Sequence, residues 1–264
     1  MKAIIQTTFI LSFVFCTLLN AHVSVAADDE ALAIAKERKA RDTGWHASEA
    51  EVSMLLKNAQ GQEATRELSI KSLEVTNDGD KALTVFNSPR DVAGTAFLSF
   101  SHIATADEQW IYLPALKRVK RISSKNKSGP FVGSEFAFED MTSYEVEKFS
   151  YTLLGEDNVN GEDCYVLKQT PVYEFSGYSF QKVWIDKAHF RVQKIEFYDK
   201  KEALLKTLVA KEYTLYEGKF WRPLRTEVKN AQTGKATYLI TQSITFDTDL
   251  TSKDFNKNSL KRAR

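Results

Sequence analysis

Most of this chain alternates between apolar and polar residues with a period of two, which is the pattern of half-buried β-strands. The alternation is clearest in residues 237–246, where Tyr238 and Ile240 share one face. Asparagine-glycine and glutamate-glycine pairs, which favour tight turns, separate several of the alternating runs. The pattern predicts thirteen strands, at residues 45–57, 63–76, 81–87, 95–103, 108–113, 117–123, 145–155, 162–170, 178–186, 190–199, 204–216, 220–229 and 235–247.

The number of strands indicates the fold class, since thirteen short antiparallel strands favour a single large curved sheet or a barrel. One helix is predicted at residues 28–42, where acidic residues precede an apolar stripe, basic residues follow, and Gly44 ends the element. A membrane-spanning β-barrel is disfavoured, because charged residues interrupt strands such as 118–122. No repeat or long linker divides the chain, so we expect one domain over residues 27–264.

The first 27 residues have the pattern of a secretory signal peptide. Lys2 is their only charge, an apolar run follows at residues 9–19, and small residues surround Ala26. An uncleaved membrane anchor would need ~20 apolar residues, which is longer than this run. We therefore expect a cleavable signal peptide at residues 1–26 and export of the remaining chain.

Charge is balanced along the chain, with 36 lysines and arginines against 35 aspartates and glutamates. Removal of the signal peptide takes Lys2 with it and leaves a net charge of zero, which gives no indication of nucleic-acid binding. It also removes Cys16, so Cys164 is left as the only cysteine and an intramolecular disulfide is excluded. We expect Cys164 to be a packed strand residue, because its acidic neighbours do not favour a reactive thiolate.

Residues suited to catalysis or metal binding are sparse. The histidines outside the signal peptide are His46, His102 and His189, and none has a second ligand at zinc-binding spacing. Nucleophile-elbow, phosphate-loop and paired-cysteine motifs are missing from the sequence. Glu135, Glu139 and Asp140 are close enough in sequence for a general acid/base pair. A short helical turn stabilised by acids at its N-terminus is the favoured explanation, because no nucleophile or metal site accompanies them. We predict no enzyme activity, no metal and no cofactor.

Residues 107–141 combine features that suit an amphiphile or a charged partner better than bond chemistry. An aromatic strand at 108–113 is followed by a basic cluster and then by a glycine-aromatic loop at 133–140. The basic cluster consists of Lys117, Arg118, Lys120, Arg121, Lys125 and Lys127. Two interpretations stay open for it: protection of an exposed edge strand from aggregation, or a docking face for an acidic partner or an anionic head group.

Three stretches of the chain resemble the outer membrane lipoprotein-sorting protein family, a LolA-like group. The most specific is the block at 94–141, with the run Trp-Ile-Tyr-Leu-Pro-Ala-Leu-Lys-Arg-Val-Lys-Arg-Ile at 110–122. Residues 183–199 resemble the family's tryptophan-aspartate hairpin, and residues 244–255 resemble its closing strand and final aromatic residue. The resemblance covers essentially the whole chain after the signal peptide.

This resemblance implies an unclosed β-barrel with a helical lid over a hydrophobic cavity, which carries lipid or lipoprotein acyl chains through the periplasm toward the outer membrane. Partners implied by the group are an inner-membrane transporter of the resistance-nodulation-division (RND) type and an outer-membrane acceptor. The expected acyl lining is Phe86, Phe97, Leu98, Phe100, Trp110, Tyr112, Phe136, Phe138, Trp184 and Phe197. The residues expected to contact a head group or a partner are Lys117, Arg118, Lys120 and Arg121.

Two other functions are compatible with the same residues. One is an accessory protein that carries no lipid and docks a membrane transporter through the basic cluster. The other is an enzyme acting on lipid or cell-wall material, with Glu135, Glu139 and Asp140 as its acids.

Overall fold

One antiparallel sheet contains all thirteen strands of the structure, a computed structural model that describes residues 14–258 and 260–263, with side chains from residue 28 onward. The strands are β1 (Ala47–Lys57), β2 (Glu63–Leu73), β3 (Lys81–Ser88), β4 (Ala96–Phe100), β5 (Glu108–Leu113), β6 (Arg118–Ile122), β7 (Phe149–Val159), β8 (Glu162–Pro171), β9 (Phe180–Asp186), β10 (Val192–Tyr198), β11 (Leu204–Tyr216), β12 (Phe220–Asn230) and β13 (Ala236–Phe246). Their order across the sheet is β6-β5-β4-β3-β2-β1-β13-β12-β11-β10-β9-β8-β7. Because β6 and β7 are unpaired edges, the sheet does not close, and the predicted fold class is confirmed.

The predicted strands agree with the observed ones to within a few residues, apart from β7. That strand is predicted at 145–155 but begins at Phe149, because Val146–Lys148 form a 3-10 turn before it. The sharp turn between β7 and β8 follows the sequence signal, since Asn160 and Gly161 both have positive φ, at 56° and 87°.

Helix α1 (Val14–Arg41) covers one half of a face of the sheet, here called the inner face. Ala31, Ile34 and Ala35 recur at helical spacing and pack on one hydrophobic cluster. The sheet residues of that cluster are Tyr151 of β7, Leu167 of β8, and Val183 and Ile185 of β9. The small alanines let the helix approach the sheet closely.

The end of α1 at Arg41 agrees with the sequence prediction, whereas its start at Val14 lies earlier than the predicted residue 28. The signal-peptide prediction concerns residues 1–26, of which 1–13 lie outside the described residues and 14–26 have no described side chains. It therefore stays a prediction. Within the described residues, no helix combines the length and the apolar character needed to cross a membrane.

Residues 123–148, here called the plug segment, cover the other half of the inner face and connect edge strand β6 to edge strand β7. The segment contains four short 3-10 helices. Phe131 is fully buried and Phe136 is 6% exposed beneath it. Gly133 has a φ of 77°, which allows the chain to reverse between them.

The outer face of β3 to β5 is covered by the C-terminal segment, residues 247–258 and 260–263. Phe255 and Leu260 are 3% and 1% exposed and belong to one cluster with Leu98 and Trp110. Both faces of this part of the sheet are therefore buried, and residues on either face can be apolar without lining a cavity.

Replacement of Leu167 by alanine tests the packing of α1 on the sheet. Leu167 of β8 is fully buried beneath the helix, so Leu167→Ala is expected to lower the free energy of unfolding by about 2–5 kcal/mol. Urea denaturation measures the change. The matched control is Leu215→Ala, which alters a strand residue that is 43% exposed and should shift stability by no more than about 0.5 kcal/mol. Equal losses in the two variants would contradict this packing.

Candidate ligand site

Aromatic side chains of the plug segment occupy the apolar inner face of the sheet. The ring centroid of Phe131 lies 5.8 Å from that of Phe86 in β3 and 5.1 Å from that of Phe97 in β4. Phe138 lies 5.6 Å from Phe97 and 5.7 Å from Phe131. Tilted and edge-to-face pairs at these distances are favourable. These four residues, here called the phenylalanine cluster, come in equal number from the sheet and from the plug segment.

A few buried polar contacts fix the plug segment on the sheet. Lys206 of β11 is 3% exposed, and its Nζ donates to Asp140 Oδ2 at 2.6 Å and to the carbonyl oxygen of Glu135 at 2.9 Å. The hydroxyl of Tyr178 donates to Asp140 Oδ1 at 2.7 Å. A buried ion pair adds little net stability, but loss of one partner leaves the other charge uncompensated. The pair therefore fixes where the plug segment sits.

Glu139 joins the plug segment to the loop between β8 and β9. Its carboxylate accepts hydrogen bonds from the backbone N–H of Gly177 at 2.8 Å and from Ser176 Oγ at 3.1 Å. Burial raises the pKa of Glu139. Glu135 accepts a hydrogen bond from Asn230 Nδ2 at 2.7 Å. The acids considered as catalytic groups in the sequence analysis thus form hydrogen bonds or ion pairs with neighbouring residues of the chain.

The isolated histidines and Cys164 do not form a shared site. Cys164 is fully buried in β8, and burial raises the pKa of its thiol to about 11. His102 Nδ1 lies 2.8 Å from Asp78 Oδ2, whereas the ring of His189 packs at a tilt of 38° against Trp221. Among the described residues, no group of three or more histidine, cysteine or acidic side chains could hold a metal ion.

A small internal cavity of about 190 Å³ lies between α1, the plug segment and strands β8 to β11. Its walls include the apolar side chains Phe136, Ile195, Phe197 and Leu208. Pockets for drug-sized ligands have volumes of roughly 300–1,000 Å³. In this conformation the cavity is too small for a long acyl chain, and the plug segment would have to move to admit one.

A larger cavity of about 590 Å³, here called the cationic pocket, lies at the C-terminal end of α1. The turn between β9 and β10 and the hairpin of β11 and β12 form its other walls. Its cationic side chains are Arg38, Lys39, Arg41, Arg191, Lys219 and Arg222. Its acidic side chains are Asp42 and Asp80, and its aromatic ones include Trp45, Tyr144, Phe190, Tyr213 and Trp221.

Most cations of this pocket have a partner. Lys39 Nζ lies 3.1 Å from Glu145 Oε2, and Arg222 Nη1 lies 2.6 Å from Asp42 Oδ1. The Nζ of Lys219 donates to a backbone carbonyl at 2.6 Å. The remaining pairs are Arg41 with Glu37, and Arg191 with Asp186 and Glu162.

Arg38 differs from these cations. Its guanidinium carbon lies 3.9 Å from the ring centroid of Tyr144, which is a close cation–π contact. Its Nη1 is buried and has no hydrogen-bond partner among the described residues. Arg38 and Tyr144 line both the cationic pocket and the small internal cavity, so they lie between the two.

Asp80 is the acid in the wall of the cationic pocket whose protonation is most altered by the fold. Burial raises its pKa from 3.8 to about 6, although the charge of Lys39 acts in the opposite direction. Its Oδ1 accepts a hydrogen bond from the backbone N–H of Val75 at 3.3 Å, and its own backbone N–H donates to Ser143 Oγ at 3.1 Å.

The ten residues expected to line an acyl cavity do not lie on one face. On the inner side are Phe86, Phe97 and Phe197 of the sheet, with Phe136 and Phe138 of the plug segment. On the outer side are Leu98, Phe100, Trp110 and Tyr112 beneath the C-terminal segment, and Trp184 beside Cys164. Adjacent strand residues such as Phe97 and Leu98 point to opposite faces, so the ten cannot line a single cavity.

The basic cluster is also divided. Lys117 lies in the turn before β6, with a φ of 49°. The register of β6 with β5 places Arg118 and Lys120 on one face and Arg121 on the other, where Arg121 lies 3.4 Å from Glu108. All four predicted docking cations are exposed, and β6 is an edge strand. The cluster is therefore an exposed edge rather than a flat cationic face.

The cationic pocket is not predicted by the sequence analysis. Its cations come from residues 38–41, 191 and 219–222, which are far apart in the chain. The basic residues near the end of α1 have a local explanation, because cations stabilise the C-terminal end of a helix dipole. The signal that could have indicated a site is the number of cations in that last turn, which exceeds what the dipole requires.

Comparison with known proteins places the fold. A family profile described only as an uncharacterized protein matches residues 78–262. The chain is similar to a domain from Vibrio parahaemolyticus described as an outer membrane lipoprotein-sorting protein, with 56% identity and a TM-score of 0.87. That alignment covers 89% of this chain and 100% of that one. No curated protein matches the chain.

Two more distant structures share the architecture. A DUF1329 family protein from Desulfovibrio piger is 29% identical with a TM-score of 0.84, over 89% of this chain and 99% of that one. A LolA superfamily protein from Nitrosomonas europaea is 21% identical with a TM-score of 0.69, over 86% of this chain and 98% of that one. The latter similarity concerns the fold alone.

The raised pKa of Asp80 predicts a pH dependence of stability. Between pH 3.8 and about 6 the folded chain retains a proton that the unfolded chain releases, so this stabilisation is lost as pH rises through 6. At pH 7 the Asp80→Asn variant is expected to be more stable than wild type by roughly 1–3 kcal/mol, with the difference shrinking below pH 4. Urea denaturation at several pH values measures this. The control variant Asp91→Asn alters an exposed acid, and its stability difference from wild type should not change with pH in this way. A pH-independent difference for Asp80→Asn would contradict the raised pKa.

Proposed function

Because the chain belongs to the outer membrane lipoprotein-sorting protein family and has a LolA-like fold, we propose that it carries the acyl chains of a lipid or lipoprotein beneath its plug segment. The observation that carries this proposal is the phenylalanine cluster, in which the chain fills an apolar sheet face with side chains of its own plug segment. The compartment that fits such a carrier is the periplasm, reached by means of the predicted signal peptide.

Movement of the plug segment would leave the sheet intact. Within the described residues its one isolated β-bridge, between Pro130 and Ala137, is internal. The sheet pairs only through its thirteen strands. Displacement therefore breaks side-chain packing and the polar contacts of the segment, including those with Arg66, Gln109 and Thr237, but no strand pair has to separate. Segments with this kind of attachment open at lower free energy than strands in a sheet.

The free energy needed to expose the phenylalanines of the plug segment is of the same order as the free energy gained by burying an acyl chain in their place. Exposure of Phe131, Phe136 and Phe138 would cost ~1.5–3 kcal/mol each, or roughly 5–9 kcal/mol together. Burial of a sixteen-carbon chain contributes ~0.8 kcal/mol per methylene, or about 12 kcal/mol. An eight-carbon chain contributes roughly 6 kcal/mol, which leaves no surplus once the polar contacts of the plug segment are lost as well. The proposed ligands are therefore long-chain amphiphiles.

Lipid uptake by a variant with a weakened plug segment tests the proposal. Lys206→Met removes the cation that holds Asp140, so uptake of a fluorescent sixteen-carbon acyl probe is expected to be several-fold faster than in wild type. An eight-carbon probe should bind far more weakly to both. Stopped-flow fluorescence gives the rates, and mass spectrometry of organic extracts identifies lipid that co-purifies.

The matched control is Lys211→Met on the same strand, whose lysine pairs with Glu227 away from the plug segment. This variant should take up the probe at the wild-type rate. Melting curves for all three proteins show whether Lys206→Met stays folded. Absence of co-purified lipid together with absence of probe binding in every protein would overturn the carrier proposal.

A second candidate function is docking to a membrane transporter of the RND type. The observation that favours it is an edge strand, β6, whose cations Arg118 and Lys120 are exposed and have no ion-pair partner among the described residues. Exposed cations of this kind steer association with an acidic surface. Edge protection explains the same cations, so the two have to be separated by experiment.

Charge reversal separates docking from edge protection. Replacement of Arg118, Lys120 and Arg121 by glutamate is expected to abolish association with a detergent-solubilised RND-type transporter at low salt, because attraction becomes repulsion. Affinity capture with mass spectrometry measures the association. The control reverses three other exposed cations, Arg90, Lys201 and Lys253, and should leave it unchanged. Equal capture of both variants would reject docking through β6.

The acids of the plug segment have a structural role in this proposal and no catalytic one. Glu139 binds Gly177 and Ser176, and Asp140 binds Lys206. These contacts account for the acids without a reaction. Hydrolysis of an acyl ester by the purified chain, lost in a Glu139→Gln variant, would overturn this assignment.

A further inference from the structure

The cationic pocket holds more positive charge than its own acids balance. Six cationic side chains line it, against Asp42 and Asp80. Acids behind the wall neutralise several of these cations, among them Glu145 for Lys39 and Asp186 for Arg191. The helix dipole of α1 favours cations at this end as well. These two effects explain the paired cations, and the exception is Arg38.

Arg38 has a buried donor without an acceptor. A guanidinium is always charged, and its five N–H groups are all donors, so a buried Nη1 needs an oxygen acceptor. Buried unsatisfied groups in native proteins usually have a bound water or ion as their partner. The contact with the ring of Tyr144 at 3.9 Å holds the guanidinium in place but supplies no acceptor for Nη1. Nη1 therefore has no acceptor among the described residues, and a bound water or anion could supply one.

The walls of the pocket indicate what kind of molecule that is. Trp45 and Trp221 provide apolar surface beside the cations, and the volume of about 590 Å³ lies in the range of ligand pockets. Arg38 and Tyr144 line the small internal cavity as well, which extends beneath the plug segment. That cavity has charged walls, such as Lys148, as well as the apolar ones already named. A molecule with a charged end in the pocket could thus place an apolar end against the apolar walls beneath the plug segment.

We propose that the cationic pocket binds the phosphate-type oxyanion of an amphiphile, with Arg38 Nη1 donating to it. An oxyanion supplies several acceptors to a guanidinium, and charge-assisted hydrogen bonds of this type are strong. The acyl part of this inference rests on the proposed carrier function, whereas the oxyanion part does not. Because the other cations of the pocket would repel the ammonium group of a zwitterionic head group, the chain is expected to select anionic over zwitterionic amphiphiles of equal chain length.

Binding of inorganic phosphate tests the oxyanion site alone. Tryptophan fluorescence reports on the pocket, because Trp45 and Trp221 line it. Arg38→Gln is expected to weaken phosphate binding about tenfold or more, and Arg38→Lys to restore part of it. Asp80→Asn removes a negative charge from the wall and should strengthen binding. The matched control is Arg90→Gln, which alters an exposed arginine outside the pocket and should bind as wild type does.

Lipid uptake tests the amphiphile. Transfer from phosphatidylglycerol vesicles is expected to exceed transfer from phosphatidylcholine vesicles about tenfold in wild type. Arg38→Gln, which keeps the basic cluster intact, should slow transfer from both, because both lipids carry a phosphodiester. Melting curves confirm that Arg38→Gln is folded, and Arg38→Lys serves as the second variant if it is not.

The outcomes distinguish the two proposals. Lipid uptake without a preference for anionic lipid, and without an effect of either Arg38 variant, overturns the oxyanion site and leaves the carrier standing. Phosphate binding that depends on Arg38, without any lipid uptake, overturns the carrier and its amphiphile but leaves the oxyanion site. Phosphate binding of equal strength in wild type and Arg38→Gln shows that water is the partner of Nη1 and overturns the inference.

Discussion

The structure depends on how an open sheet buries its apolar inner face. Thirteen strands end in two unpaired edges, so the sheet cannot bury this face by closing on itself, and no second sheet packs on it within the described residues. Burial of apolar surface is the main favourable contribution to folding. The chain provides it with two covers: α1 over β7 to β9, and the plug segment over the strands that carry Phe86 and Phe97.

These covers differ in physical character. Helix α1 packs on the sheet through the apolar residues Ala31, Ile34 and Ala35, and its polar contacts, such as that of Lys39 with Glu145, lie toward its C-terminal end. The plug segment is attached by a buried ion pair between Asp140 and Lys206, by hydrogen bonds to Glu139 and by phenylalanine rings. Buried ion pairs specify a position more than they add stability. In the proposed carrier the helix is the fixed cover and the plug segment the exchangeable one, whereas the sequence resemblance implies a helical lid.

The sequence predicts the strands well because their signal is local: the period of two and the turn residues decide each strand within about ten positions. Which face of a strand lines a cavity is harder to predict from the sequence. Phe97 and Leu98 are both apolar, and only the segments that cover each face decide which of them meets a cavity. The cationic pocket is harder still. It brings Arg38 together with Arg191 and Arg222, and no local pattern encodes contacts between residues so far apart.

The connection of the plug segment has a further consequence. It leaves β6 at Ile122 and enters β7 at Phe149, so it remains bonded to both edges of the sheet wherever it moves. In the proposed carrier, a ligand beneath it would compete with the plug segment itself, whose effective concentration is ~1 mM or more for short connections. The segment would return whenever the ligand leaves. Release from the protein would then need no separate device, because the same residues that close the empty site also displace its occupant.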